Sequence, residues 1–439
     1  MTPRWLVLMA ALAVLASAAD EARGATAATT ADRIAEEPAP VDSADADLPD
    51  RFRMIHDEVS EPAEAEPGVW RRAPFGEDLL TDADAWRVGS GVSRVEPLLD
   101  YNRVDQLRIG VRYQAQAPDT DFPRLGARLE YPFGRERTLY GIQLEQPLPP
   151  RGVLAVGASI VRRTDHSELH QVDDLENTLA LLFGRQDYRD YFEREGFGAY
   201  LAARIPGIST ASVHLRNDRY RSLATRFGTQ SWFHRNRDLR SNPPVAEGES
   251  RSFRLRLERL AHHTRRTRAG LYHWAELERS GAGLGGDFDY ARFLADVRSV
   301  LRLSPATTLA LRLVTGSALA GDLPPQREFT AGGVDGLRAH AFSQFRGNQV
   351  ALAQAEYTIG LWRLRTRGLE GGLHAIAFVD AGRAWHHADH VWNPLDQRLA
   401  VDGGFGLGTS EDNLRLYLAK NLRDPDSDVV ISARLRRPF

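Results

Sequence analysis

From about residue 104 to the end of the chain, hydrophobic and polar positions alternate with a period of two rather than the 3.6 of a helix. Residues 106–114 read QLRIGVRYQ, which puts Leu107, Ile109, Val111 and Tyr113 on one face and Gln106, Arg108, Arg112 and Gln114 on the other. Such a segment fits a soluble sandwich, where the apolar face meets a second sheet. It fits an outer-membrane barrel equally, with the apolar face on lipid and the polar face lining the lumen. Alternation alone leaves both open.

Counting segments separates them. Candidate strands lie near 104–115, 122–132, 138–148, 151–163, 175–186, 193–205, 208–220, 250–261, 264–280, 288–303, 305–318, 347–360, 371–385, 398–409, 411–421 and 428–439, about sixteen in all. Bacterial single-chain barrels have even strand numbers, and these segments exceed the roughly five or six residues usual in soluble proteins. With a periplasmic N-terminus, connections after odd-numbered strands face outside, where such barrels keep their long loops. The gaps 221–249, 319–346 and 386–397 follow the seventh, eleventh and thirteenth strands, whereas 164–174 and 361–370 are longer than the rule prefers. The last strand alternates through Val429, Ile431, Ala433 and Leu435 to a terminal Phe439. An aromatic there suits the interfacial girdle and serves as a signal for the outer-membrane barrel-assembly machinery. The pattern therefore predicts an all-β transmembrane outer-membrane antiparallel β-barrel of about 16 strands, in contact with outer-membrane lipids.

Composition fills in the rest. Of 439 residues none is Cys, which excludes disulfides, thiolate nucleophiles and cysteine-ligated metals. Arg4, the apolar stretch from Trp5 to Leu15 and Ala16-Ser17-Ala18 read as a signal peptide over 1–18. No later apolar run is long enough for a spanning helix. Residues 20–66 hold fourteen Asp or Glu against four Arg, so 19–66 is expected to be an acidic disordered arm. Residues 67–103 form a periplasmic lead-in, in which Trp70, Phe75, Leu79, Leu80 and Trp86 suit a small plug, and the barrel runs over 104–439. Basic residues are almost all Arg and spread along the chain, so no nucleic-acid partner is expected.

Two histidine groups invite a metal reading: His166, Glu168 and His170, and His386, His387, Asp389 and His390. The first is HSELH, with the carboxylate between the histidines and a turn for context, so solvated or structural roles are favoured for both. No nucleophile elbow or paired-carboxylate signature appears, and the glycine-rich stretch Gly281 to Gly286 lies between two strands with no helix N-terminus to hold a phosphate. The expectation is a non-enzyme with no cofactor and no metal.

At the long gap before the twelfth strand the sequence resembles a known family. Phe329-Thr330-Ala331-Gly332-Gly333, Leu337-Arg338-Ala339-His340-Ala341-Phe342, Gly347-Asn348 and Glu356-Tyr357 are similar to the bacterial surface antigen superfamily, the outer-membrane barrels of BamA/TamA-like and two-partner-secretion type. Phe378 to Trp385 (FVDAGRAW) resembles the family's strand carrying an Asp, Gly404 to Gly408 the following glycine-rich strand, and Tyr101 to Asp105 its first-strand start. The family's motif reads apolar-Arg-Gly-aromatic at the tip of a loop folded back into the lumen; here the glycine is Ala339 and the aromatic His340. The resemblance implies an inward-folding long loop whose tip Arg338 is latched by Glu356 and Asp380 on the inner wall. Alternation permits it, because Glu356 shares a face with Asn348, Gln354 and Thr358 while Ala351, Ala353, Ala355, Tyr357 and Ile359 form the other. The family's periplasmic repeats find no counterpart before residue 95, so a short relative lacking them is expected. Outer-membrane protein assembly, or polypeptide or lipid translocation with such a cargo as partner, is what the resemblance implies. A passive channel or a structural barrel is the alternative.

Overall fold

The computed structural model describes residues 93–435 apart from 117–122, 149–152, 206–208, 230, 233–237, 260–268, 367–368, 388–391 and 410–413. The signal peptide, the acidic arm, most of the lead-in and Phe439 lie outside the described residues.

The first seven strands are β1 (Ser93–Asn102), β2 (Gln106–Gln116), β3 (Arg124–Pro132), β4 (Leu139–Leu148), β5 (Leu154–His166), β6 (Tyr191–Ile205) and β7 (Ser209–Ser222). Then follow β8 (Gly248–Glu258), β9 (Gly270–Ser280), β10 (Tyr290–Ser304), β11 (Thr307–Gly321), and the three-residue β12 (Phe329–Ala331) and β13 (Phe345–Gly347). The last five are β14 (Gln349–Thr366), β15 (Leu369–Trp385), β16 (Ala400–Thr409), β17 (Arg415–Asn421) and β18 (Val430–Arg434). One α-helix, α1 (Asp174–Gly184), lies between β5 and β6. Each long strand pairs antiparallel with its sequence neighbour in a sixteen-stranded sheet; β12 and β13 pair only with each other, so β11 pairs directly with β14.

The alternation resolves the sandwich-or-barrel choice. On β4, Gln143 and Glu145 are fully buried while Ile142 and Leu144 are half exposed. On β2, Leu107, Ile109, Val111 and Tyr113 are exposed and Arg108 is buried. Apolar side chains point outward and charged ones inward, the reverse of a water-soluble core, and lipid is the solvent that makes this favourable. Each Leu or Ile moved from water into hydrocarbon gains about 1.5–3 kcal/mol. The sheet curls far enough for α1 to touch both ends of it: Thr178 bonds Tyr101 on β1, and Glu176 bonds Arg434 on β18. The architecture is a sixteen-stranded barrel whose lumen is filled by polar side chains and returning loops.

Two departures from the sequence pattern compensate in the strand count. The first strand starts at Ser93, within the stretch assigned to the lead-in, rather than at 104. Pro97 obscures it, yet β1 lies at the end of the sheet, and Pro is tolerated on an edge strand because its missing N–H breaks no ladder there. Residues 175–186, expected as a strand, are instead α1 and the start of the segment that follows it. Asp173 caps the helix by accepting from the Leu175 N–H at 3.1 Å, and Arg185 ends it in a left-handed conformation (φ 52°). The Asp173-x-x-Glu176 spacing is an N-terminal helix signal legible in the sequence. The added first strand also removes one loop exception, and the greater length of β14 and β15 removes the other. The long connection after His166 now follows the fifth strand, on the side where the parity rule allows long loops, while β14 and β15 run to Thr366 and from Leu369, leaving two residues between them.

Candidate functional site

The site is the connection between β11 and β14, which folds along the inner wall rather than outward. The β12–β13 ribbon forms its stem, and residues 332–344 form its tip. Two glycines make the tip possible: Gly332 (φ 118°) and Gly333 (φ 83°) occupy backbone conformations that L side chains rarely adopt, and a Cβ on Gly332 would sit 2.3 Å from the Ala341 carbonyl oxygen. The Gly333 N–H donates to the carbonyls of Leu337 and His340, both at 3.1 Å, and the His340 N–H donates to Leu337 O at 3.1 Å. This self-bonded turn aims Leu337 and Arg338 at the wall. Leu337, fully buried, joins an apolar cluster with Trp274, Tyr290, Leu294, Phe329 and Val350. Position 339 needs no left-handed residue; among the described residues, the non-glycine positions with positive φ are Gln106, Glu136, Arg185 and Ser343. Ala339 therefore serves where the family has glycine, and its side chain packs beside Ile376, Phe378, Tyr417 and Ala419.

Arg338 is 2% exposed. Its Nε and Nη2 donate to the two carboxylate oxygens of Asp380 at 2.9 and 3.1 Å, a bidentate pair, and its Nη1 donates to Glu356 Oε2 at 3.1 Å. The guanidinium carbon lies 3.9 Å from the Phe378 ring centre and 4.6 Å from that of Tyr417. Glu356 also accepts from the Tyr417 hydroxyl at 2.9 Å and from Arg415. Asp380 further accepts from Gln354 Nε2 at 3.1 Å, and the same nitrogen donates to Gly336 O at 2.8 Å. Next along the tip, the Ala339 N–H donates to Asp402 Oδ2 at 2.7 Å, and His340 Nδ1 lies 3.0 Å from Asp402 Oδ1. Two guanidinium groups face two carboxylates at the centre of the cluster, so the charges balance, as burial at low dielectric requires.

Arg338, Glu356, Asp380, Gly332, Gly333, Leu337, Ala339 and His340 are thus gathered at one place on the wall. Asp402, Arg415 and Tyr417 complete it, and no motif in the sequence marks them. Their inward parity was legible: on β17, Arg415, Tyr417 and Ala419 are buried while Leu416 and Leu418 are exposed. The histidine groups belong elsewhere. Glu168 is taken by Arg292 at 3.0 Å and by Arg327, and His170 Nε2 lies 3.2 Å from Thr330 Oγ1 with its ring against Phe342. Burial and these two cations act on the Glu168 carboxyl in opposite senses, and the cations prevail, holding it well below the usual carboxylate range. Asp389 and His390 lie outside the described residues, and among the described residues no three acidic or imidazole groups converge on one point.

The comparison with known sequences decides the family. The Omp85 superfamily domain matches residues 126–410, spanning the strands from β3 to β16 and the inward loop between them. The chain belongs to the Omp85 superfamily. It is an outer-membrane β-barrel protein, in keeping with its outward apolar face. Among solved structures it is similar in fold to BamA from Haemophilus ducreyi lacking POTRA domains 1-3, at 13% identity and a TM-score of 0.51, covering 78% of this chain and 70% of that one. CdiB from Acinetobacter baumannii aligns at 14% identity and a TM-score of 0.42, over 78% of this chain and 59% of that one. CdiB from Escherichia coli aligns at 11% and 0.44, over 79% and 62%. No curated protein matches the sequence.

Proposed function

We propose that this Omp85 barrel inserts or moves a polypeptide or lipid cargo at the outer membrane, in outer-membrane protein assembly or in translocation, without catalysing a covalent reaction. The observation that carries the reading is the inward loop. A wide open pore needs a clear lumen, whereas here the tip is bound on the wall through buried Arg338, Asp380 and Glu356, with Leu337 in an apolar pocket. In this reading Arg338 is a structural latch. It holds the loop in one position through a planar fork, which fixes orientation as well as adding energy. The partners proposed are the surrounding lipids, the barrel-assembly machinery that reads the terminal Phe439, and the cargo.

Single-channel conductance of the full chain in planar bilayers, with and without Arg338→Ala, tests this. A small, mostly closed conductance that rises in the variant is the expected result. A large conductance insensitive to the substitution would make the protein a porin-like channel instead, and a barrel silent in both forms that also inserts no cargo into liposomes would make it structural.

A further inference from the structure

Among the described residues α1 is the only α-helix, and it turns an unusual face to the protein. Its buried residues are Glu176, Asn177 and Leu181, while Leu175 and Phe183 are exposed. Thr178 Oγ1 accepts from the Tyr101 N–H at 3.0 Å and donates to the Tyr101 carbonyl at 3.3 Å. Both backbone groups of a strand residue point to the same edge, so the Thr178 hydroxyl stands on β1 where a neighbouring strand would pair. The opposite edge of β1 is taken by β2.

Two residues away, Glu176 Oε1 accepts from Arg434 Nε at 2.5 Å. Arg434 lies on β18, at the other end of the sheet, and its Nη1 donates to Asp335 Oδ1 at 2.8 Å and to Val334 O at 3.0 Å on the inward loop. Asp335 Oδ2 in turn accepts from the N–H groups of Gln171 and Val172, just ahead of the helix, at 2.8 and 3.0 Å. Asn177 fastens the helix to its own stem, donating to Asp187 Oδ1 at 3.1 Å and to the Tyr191 hydroxyl at 2.9 Å. One turn of helix thus grips the first and the last strand, and among the described residues no backbone register pairs β1 with β18.

We propose that α1 is a clasp across the joint between the first and last strands: docked, it holds the joint shut from the inside, and the joint opens only when the helix leaves. Why a barrel should open there rests on the translocation reading above; the clasp itself does not. Thr178 and Glu176 are its two contact points, and Asp335 couples it to the inward loop, so release of either loop loosens the other.

Hydrogen exchange followed by mass spectrometry, on the full chain folded in phospholipid nanodiscs with no cargo present, reads the clasp directly. In the double variant Thr178→Val with Glu176→Gln, amides of residues 93–102 and 430–434 should exchange faster by about tenfold or more, the consequence of losing both Thr178 hydrogen bonds and weakening the Glu176–Arg434 pair. The strands β6 to β8 should keep wild-type rates, and Thr178→Ser, which restores the hydroxyl, should match the wild type. Unchanged rates, acceleration at one edge only, or acceleration spread over the whole sheet would overturn the proposal. Should the double variant not fold, either single substitution carries the same comparison. A protein that shows the exchange pattern but moves no cargo would keep its clasp and lose the translocation reading.

Discussion

At the scale of single residues, the lumen is an arginine device. Lys420 is the only lysine in the chain, and the buried pairings on the inner wall use Arg, whose fork reaches two carboxylates at once. Arg338→Ala would leave Glu356 with Arg415 but take from buried Asp380 the cation that grips both its oxygens, and removing one partner of a buried pair costs about 3–5 kcal/mol. The temperature at which the folded form is lost in detergent should fall markedly, and Arg338→Lys should recover little of it, because a point charge cannot bridge Asp380 bidentately. Equal recovery by Lys would mean that charge alone, not geometry, holds the loop. At position 339 the expectation runs against the family pattern. Since Ala339 does not occupy a left-handed conformation, Ala339→Gly should destabilise by about 0.4–1 kcal/mol through added freedom in the unfolded chain. A stabilising Gly would show that the tip is strained at this residue.

Among the elements, the β5–β6 connection and the inward loop are packed together, and His170 sits between them. Burial lowers its affinity for a proton first of all, His166 and Arg240 add to that, and Asp190 and Asp335 oppose it; the result is pushed down to about 3 from an ordinary 6.5. Docked, the imidazole is neutral; undocked, it titrates normally. The contribution to docking is therefore fully present above pH 6.5 and is lost as pH falls toward about 3, since only the undocked state takes up the proton. Protease nicking of the outer loops should rise at pH 5 relative to pH 7.5 in the wild type, and His170→Gln, which keeps a hydrogen-bonding group near Thr330, should flatten that dependence. An undiminished pH effect in the variant would assign it to another group. Elements also show where the sequence misleads. The segment 175–186 has leucines that suit a buried strand as well as a helix, and the Asp173-x-x-Glu176 spacing at its start is what marks it as α1. Strand β1 is hidden by Pro97, because local chemistry does not reveal that the strand lies at the edge of the sheet.

For the whole molecule, the outward apolar belt and inward charge make lipid part of the fold. The protein should resist carbonate extraction from membranes and run as a compact band on a cold gel that shifts on boiling. Release by carbonate would contradict a barrel whose outer face carries Ile142, Leu144, Phe197 and Phe405 exposed. Fifteen of the sixteen strands follow from periodicity, because a period of two encodes which face each residue takes whatever its partner strand; β1 does not, and the total agrees only because a helix reads as a strand in its place. The candidate site was partly legible for the same reason: parity placed Glu356 inward with Gln354, and the family resemblance brought Arg338, Glu356 and Asp380 to notice. Asp402, Arg415 and Tyr417 were readable as inward residues but not as members of the cluster.

The sequence by itself therefore determined the class of fold, the solvent it meets, and the face on which each strand residue lies, since these depend on local alternation and on the lengths between turns. Only the tertiary structure decided which inward residues meet. Arg338 reaches Asp380 across 42 positions, and Arg434 reaches Glu176 across 258. Those pairings depend on how a loop re-enters the lumen and on how far the sheet curls, and neither is encoded in the chemistry of neighbouring residues. The helix that spans the two edge strands is the extreme case: its contacts exist only because the sheet brings its first and last strands to either side of one turn.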